Sequence, residues 1–131
     1  MSPAPPLLLD TTVLIDVLRN RNQRRALLKS LVASGQSLAT STISIAEVFG
    51  GLRPGEEQAT GSLLAQLDSY PVTTAVAERA GNLKAALRRQ GQTRSVVDRI
   101  VAATALENGF IVATDNRRDF QVPGLVLFPL P

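Results

Sequence analysis

Among the eleven carboxylates of this 131-residue chain, Asp10 stands out by its company. It follows three leucines, Leu7-Leu8-Leu9, and precedes two hydroxyls, Thr11 and Thr12. The stretch reads as a buried strand running into a carboxylate at the start of a helix. An unpaired buried charge is costly, so such a group is protonated, hydrogen-bonded or bound to a cation. Three further acids fall near strand and helix ends: Glu47 in the helix after the second predicted strand, Asp98 in the first turn of the helix before the fourth, and Asp115 at the end of the fourth. Open α/β sheets bind ligands beyond the carboxyl ends of their strands. Four acids converging there repel one another unless a cation sits between them. By charge and ligand type they make a Mg²⁺ or Mn²⁺ site.

What the chain lacks narrows the chemistry. It has no cysteine, hence no disulfide and no thiolate metal site, and no histidine. That excludes a Ser-His-Asp triad, a histidine-based ribonuclease and most zinc enzymes. Catalysis must run on carboxylates, hydroxyls, Arg, Lys or an oxygen-held metal. Net charge is +3, and twelve of the fourteen basic residues are arginine. Arginine grips phosphate bidentately and stays charged, which favours an anionic partner. A high-GC genome produces the same bias, so the count alone carries little.

The elements that must position these acids alternate between strand and helix, the pattern of an α/β domain with a largely parallel sheet. Strands are expected at residues 7–10, 37–41, 70–73, 110–114 and 125–128. Helices are expected at residues 11–19 (capped by Thr11 or Thr12), 22–34, 42–52, from Glu56 onwards, 74–89 and 96–108, the last capped by Ser95 and ended by Gly109. The length suits one domain spanning residues 1–131. No apolar run approaches the ~20 residues of a membrane span. Met1-Ser2-Pro3-Ala4-Pro5-Pro6 is too short and proline-rich for a signal peptide, so the expected location is cytoplasmic.

Each acid also has a purely structural reading. Ser44-x-x-Glu47 matches a capping box and Ser95-x-x-Asp98 nearly does. Asp115 can cap the turn that follows it, and Asp119 can pair with Arg117 or Arg118. Asp16 is expected on a solvated face or paired with Arg19. The arginines fall into three groups: Arg21, Arg24 and Arg25, read as solvated; Arg88, Arg89, Arg94 and Arg99; and Arg117 with Arg118. The last two groups lie in sequence near Asp98 and Asp119.

The order and context of the acids resemble a family. The stretches LLLDTTVLIDVL (7–18), STISIAEVFGGL (41–52), DRIVAATALENGFIVATDNRRDF (98–120) and VPGLVLF (122–128) are similar to those of PIN-domain proteins, above all the VapC-type toxins of bacterial toxin–antitoxin pairs. The resemblance implies a five-stranded parallel sheet of order 3-2-1-4-5, which sets strands one and four side by side. It implies a Mg²⁺-dependent endoribonuclease (Mn²⁺ as the alternative), with Asp10, Glu47, Asp98 and a fourth acid as catalytic residues. For the metal it points to Asp10, Asp98 and Asp119. Many PIN domains have Thr-x-Asp where this chain has Asn116, so Asp119 ranks above Asp115, and Asn116 is a candidate neutral ligand. Thr11, Thr12 and Thr114 are the expected helper hydroxyls. Arg94, Arg99, Arg117 and Arg118 are the expected RNA-backbone contacts. The implied partners are RNA, a second copy of the chain, and a VapB-like antitoxin lying along residues 42–67.

Two other folds carry acids at strand ends. A phospho-receiver needs paired acids after the first strand and a lysine after the fifth, but only Asp10 is present and Lys29 and Lys84 lie in predicted helices. A haloacid-dehalogenase-type phosphatase needs an aspartate at the Thr12 position. A non-catalytic PIN-like module that binds RNA or protein stays open at this level, because of Asn116 and the displaced Asp115.

Overall fold

Leu7, Leu8 and Leu9 form the central strand of a parallel sheet, and their alternation splits the core in two. The structure, a computed structural model, describes residues 4–131; residues 1–3 of the proline-rich N-terminal stretch lie outside the described residues. β1 (Leu7–Leu9), β2 (Leu38–Ser41), β3 (Asp68–Tyr70) and β4 (Ile111–Ala113) pair in the order β3-β2-β1-β4. Leu7 and Leu9 face a cluster with Val13, Leu14, Val17, Leu28, Val48, Leu63 and Leu67. These come from helices α1 (Thr11–Leu18), α2 (Arg24–Ala33), α3 (Thr42–Gly50) and α4 (Glu57–Leu64), with Leu67 just beyond α4. Leu8 faces the other way, against Val101, Ala102, Ala105 and Phe110. Both faces are covered there, so β1 and β4 are apolar without alternating polarity.

That second layer is α6 (Val96–Asn108), backed by α5 (Thr74–Arg89). Their ends are set locally. Thr73 Oγ1 accepts from Val76 N at 3.1 Å, and Ser95 Oγ accepts from Val97 N at 3.1 Å. Gly109, at φ +72°, ends α6 in the left-handed region that a residue with a Cβ avoids. Among the described residues no helix is long and apolar enough to cross a membrane.

Four sequence expectations shift. The cap of α1 is Asp10 itself, whose side chain accepts from Thr11 N, not Thr11 or Thr12. The third strand ends at Tyr70, because Pro71 has no N–H to extend the ladder. The expected fifth strand is one parallel bridge, Val112 to Leu127, next to β4 as the 3-2-1-4-5 order requires. Val112 N donates to Val126 O and Phe128 N to Val112 O; Pro129, again without an N–H, follows at once. Asp16 accepts from Asn22 Nδ2 at 2.8 Å, while Arg19 turns to Gly51 O and Glu56.

The order places the carboxyl ends of β1 and β4 side by side. Leu9 pairs with Ala113, and Asp10 N donates to Ala113 O at 3.0 Å. Asp10 and Thr114 therefore leave the sheet as neighbours.

Candidate metal centre and active site

Asp10 is 2% exposed, so its carboxylate must be satisfied from within. Oδ1 accepts from Thr11 N at 2.8 Å. Oδ2 accepts from Thr12 Oγ1 at 3.0 Å and from Thr114 Oγ1 at 2.8 Å. Thr11 turns its own hydroxyl to Glu47, donating to Oε1 at 2.7 Å. The capping-box reading of Glu47 fails: Ser44 is buried within α3, and Ser41 caps that helix. Glu47 instead faces Thr11 across the α1–α3 contact.

The network continues on the other side. Thr114 Oγ1 accepts from Asn116 N at 2.9 Å. Asn116 Nδ2 donates to Asp119 Oδ2, and Asp119 N donates to Asn116 O, closing the short 3₁₀ turn Arg117–Phe120. Asn116 thus orients Asp119 through its amide. Hydroxyls and one amide, with the Thr11 and Asn116 backbones, link Glu47, Asp10 and Asp119. The predicted helpers Thr11, Thr12 and Thr114 all take part.

Asp98 joins them by field. Burial, and then the carboxylates of Asp10 and Asp119, push its pKa up to about 6. Burial also raises that of Asp10, against the bonds from Thr114, Thr12 and Thr11, with Glu47 adding to the rise. Among the described residues no three of these acids are drawn together as a ready-made cage. Mg²⁺ does not need one: it keeps several waters and takes one or two carboxylates. Hard oxygen donors that repel one another fit such an ion.

Asp115 stands apart. It pairs with Arg24, which is 3% exposed and also donates to Pro131 O and Asn22 O. Arg24 is therefore no solvated residue, and Arg25 binds Val17 O and Leu18 O at the end of α1.

Two of the arginines expected on RNA are otherwise engaged. Arg99 is 1% exposed, with its guanidinium carbon 5.9 Å from the centre of the Phe120 ring, and so cannot reach a solvent-borne backbone. Its position was readable: Arg99 shares a helix face with Ala102, Ala103 and Leu106. Arg94 Nη1 sits 3.3 Å from Asp119 Oδ1. Arg117 donates to Phe128 O from the surface, and Arg118 is exposed.

The PIN domain family matches residues 7–124, a span that contains all four acids. The chain belongs to the PIN-domain family. Ribonuclease VapC10 from Mycobacterium tuberculosis is 36% identical over 110 residues, covering 84% of this chain and 82% of that protein. A toxin–antitoxin complex from Klebsiella pneumoniae contains a chain 29% identical, with a TM-score of 0.74, covering 92% of this chain and 95% of that one. The PIN fold is shared with VapBC2 of Rickettsia felis, TM-score 0.79 at 22% identity, over 93% and 96% of the two chains.

Proposed function

We propose that this PIN domain is a Mg²⁺-dependent endoribonuclease and the toxin half of a VapBC-like toxin–antitoxin pair. The observation that carries the reading is the hydrogen-bonded line from Glu47 through Asp10 to Asp119, with Asp98 inside its field. Relatives named as VapC ribonucleases at 36% and 30% identity supply the substrate class.

Asp10, Asp98 and Asp119 would hold the ion, directly or through its waters, and Glu47 would orient the attacking water. Held there, a divalent ion would supply a water of lowered pKa and offset charge on the phosphate. Thr12 and Thr114 keep Asp10 Oδ2 fixed. Arg117 and Arg118 lie on the rim to meet the RNA backbone, where phosphate contacts position without reading sequence. Catalysis needs no histidine, because carboxylates can take the protons.

An apolar groove of about 520 Å³ runs between α1, α2 and α4, lined by Val17, Leu18, Leu28, Val32, Leu63 and Leu67. We assign it to the apolar segment of an antitoxin. Of the expected 42–67 stretch, only the α4 half and Leu67 contribute. A homodimer acting in the cytoplasm completes the proposal.

The test is incubation with structured RNA and with matched DNA, in Mg²⁺, Mn²⁺ or EDTA. RNA cleavage that needs the metal supports the reading; cleavage of DNA alone, or activity in EDTA, overturns it. A pull-down with the product of the adjacent open reading frame that finds no complex removes the antitoxin from it.

A further inference from the structure

No acid occurs between Glu78 and Asp98. Residues 79–97 carry five of the fourteen basic side chains, Arg79, Lys84, Arg88, Arg89 and Arg94, and none of the eleven acids. The fold brings one end of this stretch to the carboxylates. α5 and α6 run antiparallel: Arg79 Nη1 lies 2.8 Å from Glu107 Oε1, Val76 and Ala80 pack with Ala103, and Leu83 and Ile100 join them. The last turn of α5, with Arg88 and Arg89, therefore lies beside the first turn of α6, with Asp98. The loop between them delivers Arg94 to Asp119.

Arg79 is taken up by Glu107 and Arg94 by Asp119. Among the described residues Arg88 and Arg89 are exposed and make neither an ion pair nor a side-chain hydrogen bond. Cations suit the negative end of a helix, but that preference does not reach Lys84, more than a turn back, or clear the acids as far as Val97. Of the four arginines expected on RNA, Arg99 is buried, Arg94 holds Asp119 and Arg117 gives a donor to Phe128 O. A strand leaving the site still needs cations, since phosphate contacts dominate affinity.

We propose that Arg88 and Arg89, at the end of α5 beside the carboxylate cluster, grip the RNA phosphates that flank the one being cut. Packed helices lie about 8–10 Å apart, which suits a neighbouring phosphate rather than the scissile one. Guanidinium groups take phosphate bidentately and hold a strand without reading its bases. The two arginines bind and take no part in the chemistry. This rests on the ribonuclease reading above.

The test is binding of a labelled single-stranded RNA of mixed sequence to the full chain, by fluorescence anisotropy over a salt series, in an Asp98→Asn background with EDTA so that the RNA stays intact. Replacing both arginines, Arg88→Gln with Arg89→Gln, should weaken binding about tenfold at about 50 mM salt and lower the slope of log Kd against log salt by about 1.4, or about 0.7 for each phosphate released. Arg88→Lys with Arg89→Lys should keep the slope. Arg21→Gln removes an exposed cation beyond the far end of α1 and should leave both affinity and slope unchanged. With Asp98 restored and Mg²⁺ added, the double Gln variant should raise KM for RNA and leave kcat close to wild type, the mark of lost uniform binding. Its Tm should stay near wild type, since Gln and Arg are similar helix formers. Unchanged RNA affinity and slope in the double variant would overturn the proposal, as would an equal loss in Arg21→Gln. Unchanged RNA affinity with lost capture of the adjacent open reading frame's product would give this surface to a protein partner and overturn it too. An Asp98→Asn parent that binds no RNA overturns the ribonuclease reading as well; RNA binding that is indifferent to Arg88 and Arg89 overturns only their role.

Discussion

Thr114 Oγ1 donates to Asp10 Oδ2 at 2.8 Å and joins residues 104 positions apart. The same hydroxyl oxygen accepts from Asn116 N. One side chain therefore fixes the buried carboxylate of β1 and the turn that carries Asp119.

Thr114→Val keeps the shape and removes both bonds. Loss of a buried hydrogen-bonding partner costs about 1–3 kcal/mol. Loss of a group that orients a metal-holding carboxylate costs about 10–100-fold in affinity or activity. Denaturant melts and a cleavage assay should show both losses; full activity would mean that Asp10 is held without Thr114.

Asp10 is both a cap and a member of the acid cluster, and two substitutions separate these roles. Asp10→Ala loses the cap, about 1 kcal/mol, but also removes repulsion with Glu47, so the two effects partly cancel. Asp10→Asn keeps an oxygen for Thr11 N and removes the charge, so it should be the more stable of the two. Neither should cleave RNA. Asp10→Ala melting above Asp10→Asn in EDTA would contradict the cap.

The raised pKa of Asp98 predicts a pH signature. Between its ordinary 3.8 and about 6, the folded chain holds a proton that the unfolded chain has released. Stability of the metal-free protein due to this group is therefore present at low pH and lost as pH rises through that window. The Tm of wild type minus that of Asp98→Asn, measured in EDTA, should fall from pH 4 to 6 and then level off. Mn²⁺ affinity should rise over the same range, since the ion needs the carboxylates ionised.

Asp115 and Asp119 should respond in opposite ways. Asp115→Asn strips the charge partner from buried Arg24 and should cost stability, about 2 kcal/mol after allowing for the partial exposure of Asp115. Cleavage per folded molecule should persist. Asp119→Asn should spare stability and remove cleavage. The reverse pattern would return the fourth position to Asp115.

The burial of Asp10 was legible because an apolar run leads straight into it, and the place of Asp98 in the first turn of its helix was legible from Ser95 ahead of it. The ends of α5 and α6 were legible for the same local reasons, Thr73, Ser95 and Gly109. Tertiary partners were not. Nothing near Asp115 in sequence announces Arg24, 91 residues away, as its mate. A charged side chain reads as surface, which hid the burial of Arg24 and outweighed the helix-face signal at Arg99. The residues expected as a fifth strand have a strand-like pattern, but prolines on both sides leave room for only one bridge.

The most direct test of the account is RNA cleavage by wild type and by Asp98→Asn, each in Mg²⁺ and in EDTA, with melting curves alongside. The account predicts that Asp98→Asn folds with a Tm equal to or above wild type and cleaves nothing, and that EDTA silences wild type. Cleavage that survives either the substitution or the chelator would contradict it.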